Sequence, residues 1–528
     1  MRSGIIVAYC CRKEVKALAE SYDVIIVGAG NGGLIAACTL SQMGFRTLLL
    51  EKHNLPGGCA ASFVRGRFEF EASLHNLPYV GPGAENGDIG MLFRRFGVER
   101  KFYPIPESLH FIVDGPEPFE FKAGVGRESF ARAAEAVCPG AALAFGRFTE
   151  MCDELNRALA ALSAARGKPD PAVMAREHPN YCRLASSTVD EMFEALELPE
   201  LLRDILSVFA LYQCGDTSKI DAARFMLMTD SFITEGASQT DLRSFGLSTA
   251  LANSARRFGC DIWYNCEVAE ICTENGAVSG VRLADGRILR ASRVLCNIMP
   301  HLVYGRLLDP AAAPVMELKK ANARTLGARA FCVFLGLDRD WRELGFKDYA
   351  TFINSSLKNA ENIRNGGSRD FNGDMSVNVL NAVVPDASPE GTCIVYLTAM
   401  FNGDAFADVT PDNYTEIKEA HAEKLIKRAE RVLGVDIRNH IEEIVISTPV
   451  TYARYLGTPQ GAVFGYSPED WDGMMSRNMG EQAEKTVPGL YFAGGHGARL
   501  SGFSPSYMSG FTTAMRIAGE MRGGAPHE

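Results

Sequence analysis

The chain has 528 residues, 47% of them apolar and 22% charged, with a formal net charge of −10. This describes an ordinary globular protein with room for two domains, and an acidic chain without a basic stripe is no nucleic-acid binder. The fourteen cysteines are scattered with no C-x-x-C pair and the nine histidines show no H-x-x-x-H spacing, which excludes a disulfide framework, gives no metal site and fits free thiols in a reducing cytoplasm.

Residues 1–21 read as a flexible leader, because the apolar run 4–11 is short and Arg12 and Lys13 follow it at once. The run 23–27 is apolar and β-branched, as a buried parallel strand is. It turns at Gly28-Ala29-Gly30-Asn31-Gly32-Gly33 into a helical pattern that stops at Gly44, and a second apolar strand, 46–50, ends in Glu51. This is G-x-G-x-x-G between strand and helix, with a carboxylate closing the next strand. Gly28 allows the tight turn, Gly30 lets backbone approach a pyrophosphate, and Gly33 lets helix and strand pack closely. The helix N-terminus offers free N–H groups to phosphates. Glu51 can accept from both ribose hydroxyls of an adenosine, and it repels a 2′-phosphate. A dinucleotide site is therefore expected at Gly28, Gly30, Asn31, Gly32, Gly33, Glu51 and Lys52.

A second glycine pair follows in Pro56-Gly57-Gly58-Cys59. A plain NAD domain has no use for it, whereas a flavin dinucleotide needs a second place where backbone passes close to its phosphates. The Val27-Gly28-Ala29-Gly30 start, Glu51 and the Pro56-Gly57-Gly58 turn resemble the phytoene desaturase, carotenoid isomerase and retinol saturase group of FAD-dependent oxidoreductases.

From residue 101 the texture changes. Strands are expected at 109–113 and 119–122, then a helical pattern from about 129 to 165, broken at Lys168-Pro169-Asp170-Pro171. Its apolar positions Phe145, Phe148, Leu155, Leu159 and Leu162 suit a core-facing stripe, and they also suit a face touching a membrane that holds a greasy substrate. Residues 187–233 are helical and crowded with Phe209, Leu211, Tyr212, Phe225, Met226, Leu227, Met228 and Phe232. They fit a plastic apolar pocket and a plain core equally well.

At 245–248 the chain returns to the nucleotide domain, with a helix over 249–257, strands around 261–271, a hairpin over 278–283 turning at Ala284-Asp285-Gly286, and a buried strand at 294–297. Residues 301–445 leave it again, with strands at 328–337 and 392–400, an exposed excursion over 354–377, and a charged amphipathic helix over 414–433 whose charges are read as solvated. The C-terminal block has a strand over 489–495 ending in Gly494-Gly495, then Ser504 and Ser509-Gly510 starting the final helix. Those last residues form a second anion-friendly site. Two such sites far apart in sequence are what FAD asks for.

The resemblance now covers nearly all of 22–520, and Thr448-Pro449, Gly461–Gly465 and the terminal glycine strand bring it closest to the isomerase and saturase branch. It implies an α/β fold: a discontinuous, glutathione-reductase-like Rossmann domain for FAD (22–100, 241–300 and 446–520) with an inserted α+β substrate domain (101–240 and 301–445). It also implies that Val268 lies beside the adenine. Three positions depart from the pattern: Cys59 stands where classical desaturases carry Arg, Phe245-Gly246 where two glycines are usual, and His496-Gly497-Ala498 where Pro-Gly-x-Gly follows the last strand. The implied reaction is desaturation, saturation or isomerisation of an apolar conjugated substrate. No second dinucleotide unit exists (Gly81-Pro82-Gly83 has no preceding strand), so an external quinone, reductant or partner protein exchanges the electrons. His496 is the candidate proton carrier; Arg454, Tyr455 and Tyr507 lie in the same block. A flavin amine oxidase and a non-catalytic binder like the GDP dissociation inhibitors are the alternatives on this fold.

Overall fold

The computed structural model describes residues 21–80, 87–164, 170–184, 186–213, 215–370, 373–473, 476–477, 487–497 and 501–523. The leader up to residue 20, Gly81-Pro82-Gly83 and positions 498–500 of the last loop lie outside the described residues.

A five-stranded parallel sheet centres the first half of the fold. Its order is Asp261–Trp263, Thr47–Leu50, Val24–Val27, Val294–Cys296 and Leu490–Phe492. The two leading strands are buried at every position, as continuous apolar runs require when both faces are covered. On one face, helix Asn31–Gln42 packs against Arg243–Arg257 and Phe503–Met521, sealing Leu34, Leu251 and Ile517 in one core. On the other lies a four-stranded sheet, Ser21–Tyr22, Ile288–Ala291, Ala277–Leu283 and Val268–Glu274, whose Val268 and Val281 close over Ile25 and Leu48.

The second half is built on a seven-stranded mixed sheet: Ile441–Ser447, Arg329–Leu337, Cys393–Phe401, Met375–Val379, Ala350–Asn354, Glu107–Val113 and Phe119–Gly124. Side chains alternate between its faces. Val333, Val377 and Val395 meet Leu425 and Ile426 of helix Tyr414–Leu433. Phe111, Phe334 and Tyr396 join the core that holds Phe130, Phe145 and Phe209 of the helical layer.

Several expectations are corrected. The stretch 354–377 is no simple excursion: helix Asn359–Asn365 and the start of strand Met375–Val379 lie within it. Its Asp, Ser and Asn alternate with Met375, Val377 and Val379, a half-polar pattern that resembles a loop in sequence. The helix expected from 249 starts at Arg243, where φ is +51°, so Phe245-Gly246 sits in its first turn. The final helix begins at Phe503, which leaves Ser509-Gly510 in its interior. Phe145, Phe148 and Leu155 are buried, with Leu159 and Leu162 packed against the same core. That face is inside the protein and offers nothing to a membrane. The charges of Tyr414–Leu433 are not all solvated, since Arg428 pairs with Asp114 at 2.7 Å and both are nearly buried. No helix among the described residues is long and apolar enough to cross a membrane.

Candidate active site

Strand Val24–Val27 delivers the chain to Gly28, whose φ of +98° makes the turn into the first helix. A Cβ on Gly33 would run into the Gly28 carbonyl, so this glycine sets helix against strand as expected. Gly30 and Gly32 are constrained by a residue that the sequence did not mark. A Cβ on Gly30 would lie 2.7 Å from Asn297 Nδ2, and one on Gly32 only 2.6 Å from the Gly494 nitrogen and 2.8 Å from Asn297 Oδ1. Asn297 is held at the end of its strand by its own N–H, which donates to the Val27 carbonyl at 2.9 Å. Its side chain thus fills the space between the first turn and the last strand, and only glycines fit around it.

Glu51 is buried, and both carboxylate oxygens are engaged: Ala29 N–H donates to Oε2 at 2.8 Å and His53 N–H to Oε1 at 2.9 Å. The Gly57-Gly58 turn runs beside the first one, with Gly57 N–H donating to the Ala29 carbonyl at 2.8 Å and φ of +123° and +61°. Together these walls enclose a cleft of about 430 Å³. Gly28, Gly30, Asn31, Gly32, Glu51, Lys52, Gly57, Gly58, Cys59, Val268, Gly495 and His496 line it. The other expected residues stand elsewhere. Gly33 and Gly494 support the walls from behind, Ser504 donates to the Pro78 carbonyl at 2.8 Å and lines a different cavity, and Ser509 is buried inside the final helix. Tyr455 borders the cleft with an exposed ring, Arg454 is exposed beyond it, and Tyr507 packs edge-on against Phe93. Arg306, absent from the sequence reading, borders the cleft and pairs with Glu267 at 3.5 Å.

Burial raises the Cys59 thiol to about 11, so it is neutral and supplies no charge to a phosphate. Burial, with the positive charges of Arg477 and Arg324 behind it, drives His496 down to about 3. Its imidazole is therefore neutral at physiological pH and offers a hydrogen bond rather than a proton. His496 Nδ1, Asn31 Oδ1 and Thr458 Oγ1 border the cleft as buried polar atoms without a partner among the described residues. A glycine-walled cleft with three orphaned polar atoms and a held carboxylate fits a bound flavin.

A second, larger cavity of about 890 Å³ opens beside the cleft. The two share Ser73, His75, Thr398, Met400, Phe464 and Phe503 as common wall. The ambiguous run 187–233 resolves into both of its readings here. Phe209, Phe225 and Met226 face the core, while Leu211, Tyr212, Leu227, Met228 and Phe232 line the cavity. The facing wall is the sheet, where Asp374, Ser376 and Asn378 project at every second position. Burial raises the Asp374 carboxyl to about 7 against the weaker opposing pull of Arg428.

A family model described as flavin containing amine oxidoreductase matches residues 32–518. The chain belongs to that family. It is thus a flavin-dependent oxidoreductase. Among curated relatives, prolycopene isomerase 2 of an Oncidium hybrid cultivar is 24% identical over 531 residues, covering 95% of this chain and 85% of that protein. All-trans-retinol 13,14-reductase of Danio rerio is 21% identical over 526 residues, covering 93% and 85%. Among solved structures, putrescine oxidase bound to putrescine matches with a TM-score of 0.62 at 17% identity, covering 95% of this chain and 99% of that one, which shows a shared fold.

Proposed function

We propose that this flavoenzyme binds FAD and acts on C–C or C=C bonds of a conjugated, largely apolar lipid of the carotenoid, retinoid or terpenoid class. The observation that carries the reading is the common wall: a glycine-lined cleft and a large cavity with one apolar side meet at Thr398, Met400, Phe464 and Phe503. The relatives named for prolycopene and retinol chemistry support the same substrate class. In this reading, segments 22–100, 241–300 and 446–520 hold the cofactor, and 101–240 with 301–445 hold the substrate.

Glu51 would hold the adenosine ribose, Val268 would lie beside the adenine, and the paired turns at Gly28–Gly33 and Gly57-Gly58 would pass along the pyrophosphate, with Lys52 and Arg306 at its edge. FAD supplies two-electron chemistry when bound. The protein's part is to exclude water and to align an extended apolar chain against the common wall. With no second dinucleotide unit in the sequence, electrons would enter or leave through a quinone or a small reductant.

The test is a mass comparison with conjugated polyenes, using FAD-loaded protein oxidised in one tube and reduced anaerobically in another. Loss of two hydrogens with oxidised flavin identifies a desaturase, gain of two with reduced flavin a saturase, and altered retention at constant mass an isomerase. Flavin-loaded protein that leaves every polyene unchanged but bleaches its flavin with a primary amine would replace this reading with amine oxidation.

A further inference from the structure

Arg224 forms no contact ion pair among the described residues, and the charges of Asp221 and Asp472 only partly offset that of Arg477 beside it. Arg224 sits in the first turn of helix Ala222–Thr234, on the face that also carries Leu227, Met228 and Ser231 into the large cavity. Among the described residues nothing accepts a hydrogen bond from its guanidinium or pairs with it. Burial, with the Arg477 charge beside it, pulls its pKa down to about 10. Its side chain is partly exposed where it lines the cavity, so a guanidinium with no acceptor of its own faces whatever enters there.

Its surroundings carry excess positive charge. Arg477 and Arg324 share one carboxylate, Asp472, at 2.7 and 2.8 Å. Asp221 turns one oxygen to the Arg224 backbone N–H at 2.8 Å. Three arginines thus face two aspartates, and the same field depresses His496 across the wall. The cavity's other carboxylates do not answer it. Asp153 and Asp230 are bound to Arg127, Glu235 responds to Asp88 and Asp230, and Asp374 responds to Arg428. Arg224 lines the large cavity and not the cofactor cleft, so the missing anion belongs to what enters that cavity.

We infer that the substrate is an acid: a conjugated lipid whose carboxylate is held by Arg224 while its apolar chain lies along Leu227, Met228 and Phe232. The inference rests on the reading of the cavity as a polyene site and narrows it. A guanidinium fork matches a carboxylate with two parallel hydrogen bonds, and neither an ester nor an alcohol can replace that charge.

The experiment titrates FAD-loaded protein with all-trans-parinaric acid, a conjugated tetraene that fluoresces in apolar surroundings, and with its methyl ester and its alcohol. The acid is expected to bind at least tenfold tighter than either. Arg224→Met should weaken the acid alone to the level of the ester, and Arg224→Lys should keep part of the preference. Both variants should retain full flavin content, which separates the effect from misfolding. Equal binding of the three probes, or an equal loss for all three in Arg224→Met, overturns the inference and leaves the polyene reading standing. Tighter binding of the alcohol overturns it too and assigns the recognition to the acceptors Asp374 and Asn378. If flavin-loaded protein binds none of the three, the polyene reading fails and this inference with it.

Discussion

The backbone N–H of Ala29 donates to Glu51 Oε2 at 2.8 Å, across the turn between the first strand and the first helix. The carboxylate that a ribose would meet is therefore also the clamp that shapes the glycine turn, because His53 N–H holds its other oxygen. Replacing Glu51 with Ala leaves the buried Ala29 N–H and the part-buried His53 N–H unpaired, the buried one costing about 1–3 kcal/mol. We expect Glu51→Ala to lower Tm and to emerge from gel filtration with most of its flavin lost. Glu51→Gln keeps an acceptor oxygen and should retain a larger share. Full flavin occupancy in the Ala variant would separate the carboxylate from cofactor binding.

Gly510 lies in the final helix where a Cβ would strike the carbonyl of Gly32, while Gly305 has only Leu318 Cδ1 at 3.9 Å to meet. An alanine at 510 must push the last helix off the first, the pair that frames the cleft. Overpacking of this kind costs about 1–3 kcal/mol. Urea unfolding should show that loss for Gly510→Ala and little change for Gly305→Ala. A neutral Gly510→Ala would mean that the two helices can part without consequence.

The half built on the parallel sheet was legible because its signals are local and agree with one another. Strand, glycine turn, helix and terminal carboxylate lie within 22–51, and each is dictated by its own residues. Asn297 was not legible. Its role comes from fitting between Gly30, Gly32 and Gly494, which meet only in the fold. Strand Met375–Val379 was missed for a related reason. One face is apolar and the other polar because the second faces a cavity, and a polar alternation reads as surface until the cavity is seen. Ser509 was misplaced because a glycine after a serine looks like a helix start, whereas Gly510 serves close helix packing. The crowded run 187–233 could not be assigned to core or pocket because its helices serve both on different faces.

His496 bears on the pH dependence of turnover. Buried beside the charges of Arg477 and Arg324, it is held near 3, so it stays neutral over the working range. Any inflection between about pH 5 and 8, where an ordinary histidine titrates, then belongs to another group. His496→Gln, which keeps a hydrogen-bonding side chain, should lower kcat by about tenfold or less and leave the inflections in place. A loss of about 10²–10⁴-fold with a vanished limb is the mark of general acid–base catalysis and would restore His496 to that role.

Asp374 makes the opposite contribution to stability. Its folded pKa, about 7, is raised above the ordinary aspartate value of 3.8 by burial. A raised folded pKa gives stability that is fully present below the unfolded value and is lost as pH rises through the folded one. The penalty therefore builds between 3.8 and about 7 and is constant above that, at most about 4 kcal/mol from the size of the shift. Asp374→Asn removes the titration while keeping the shape. Its Tm should match that of the parent protein near the acid end of this window, exceed it by a growing margin up to about 7, and hold that margin beyond. A difference that does not change with pH would mean that Asp374 is hydrated in the cavity and ionises as a surface aspartate does.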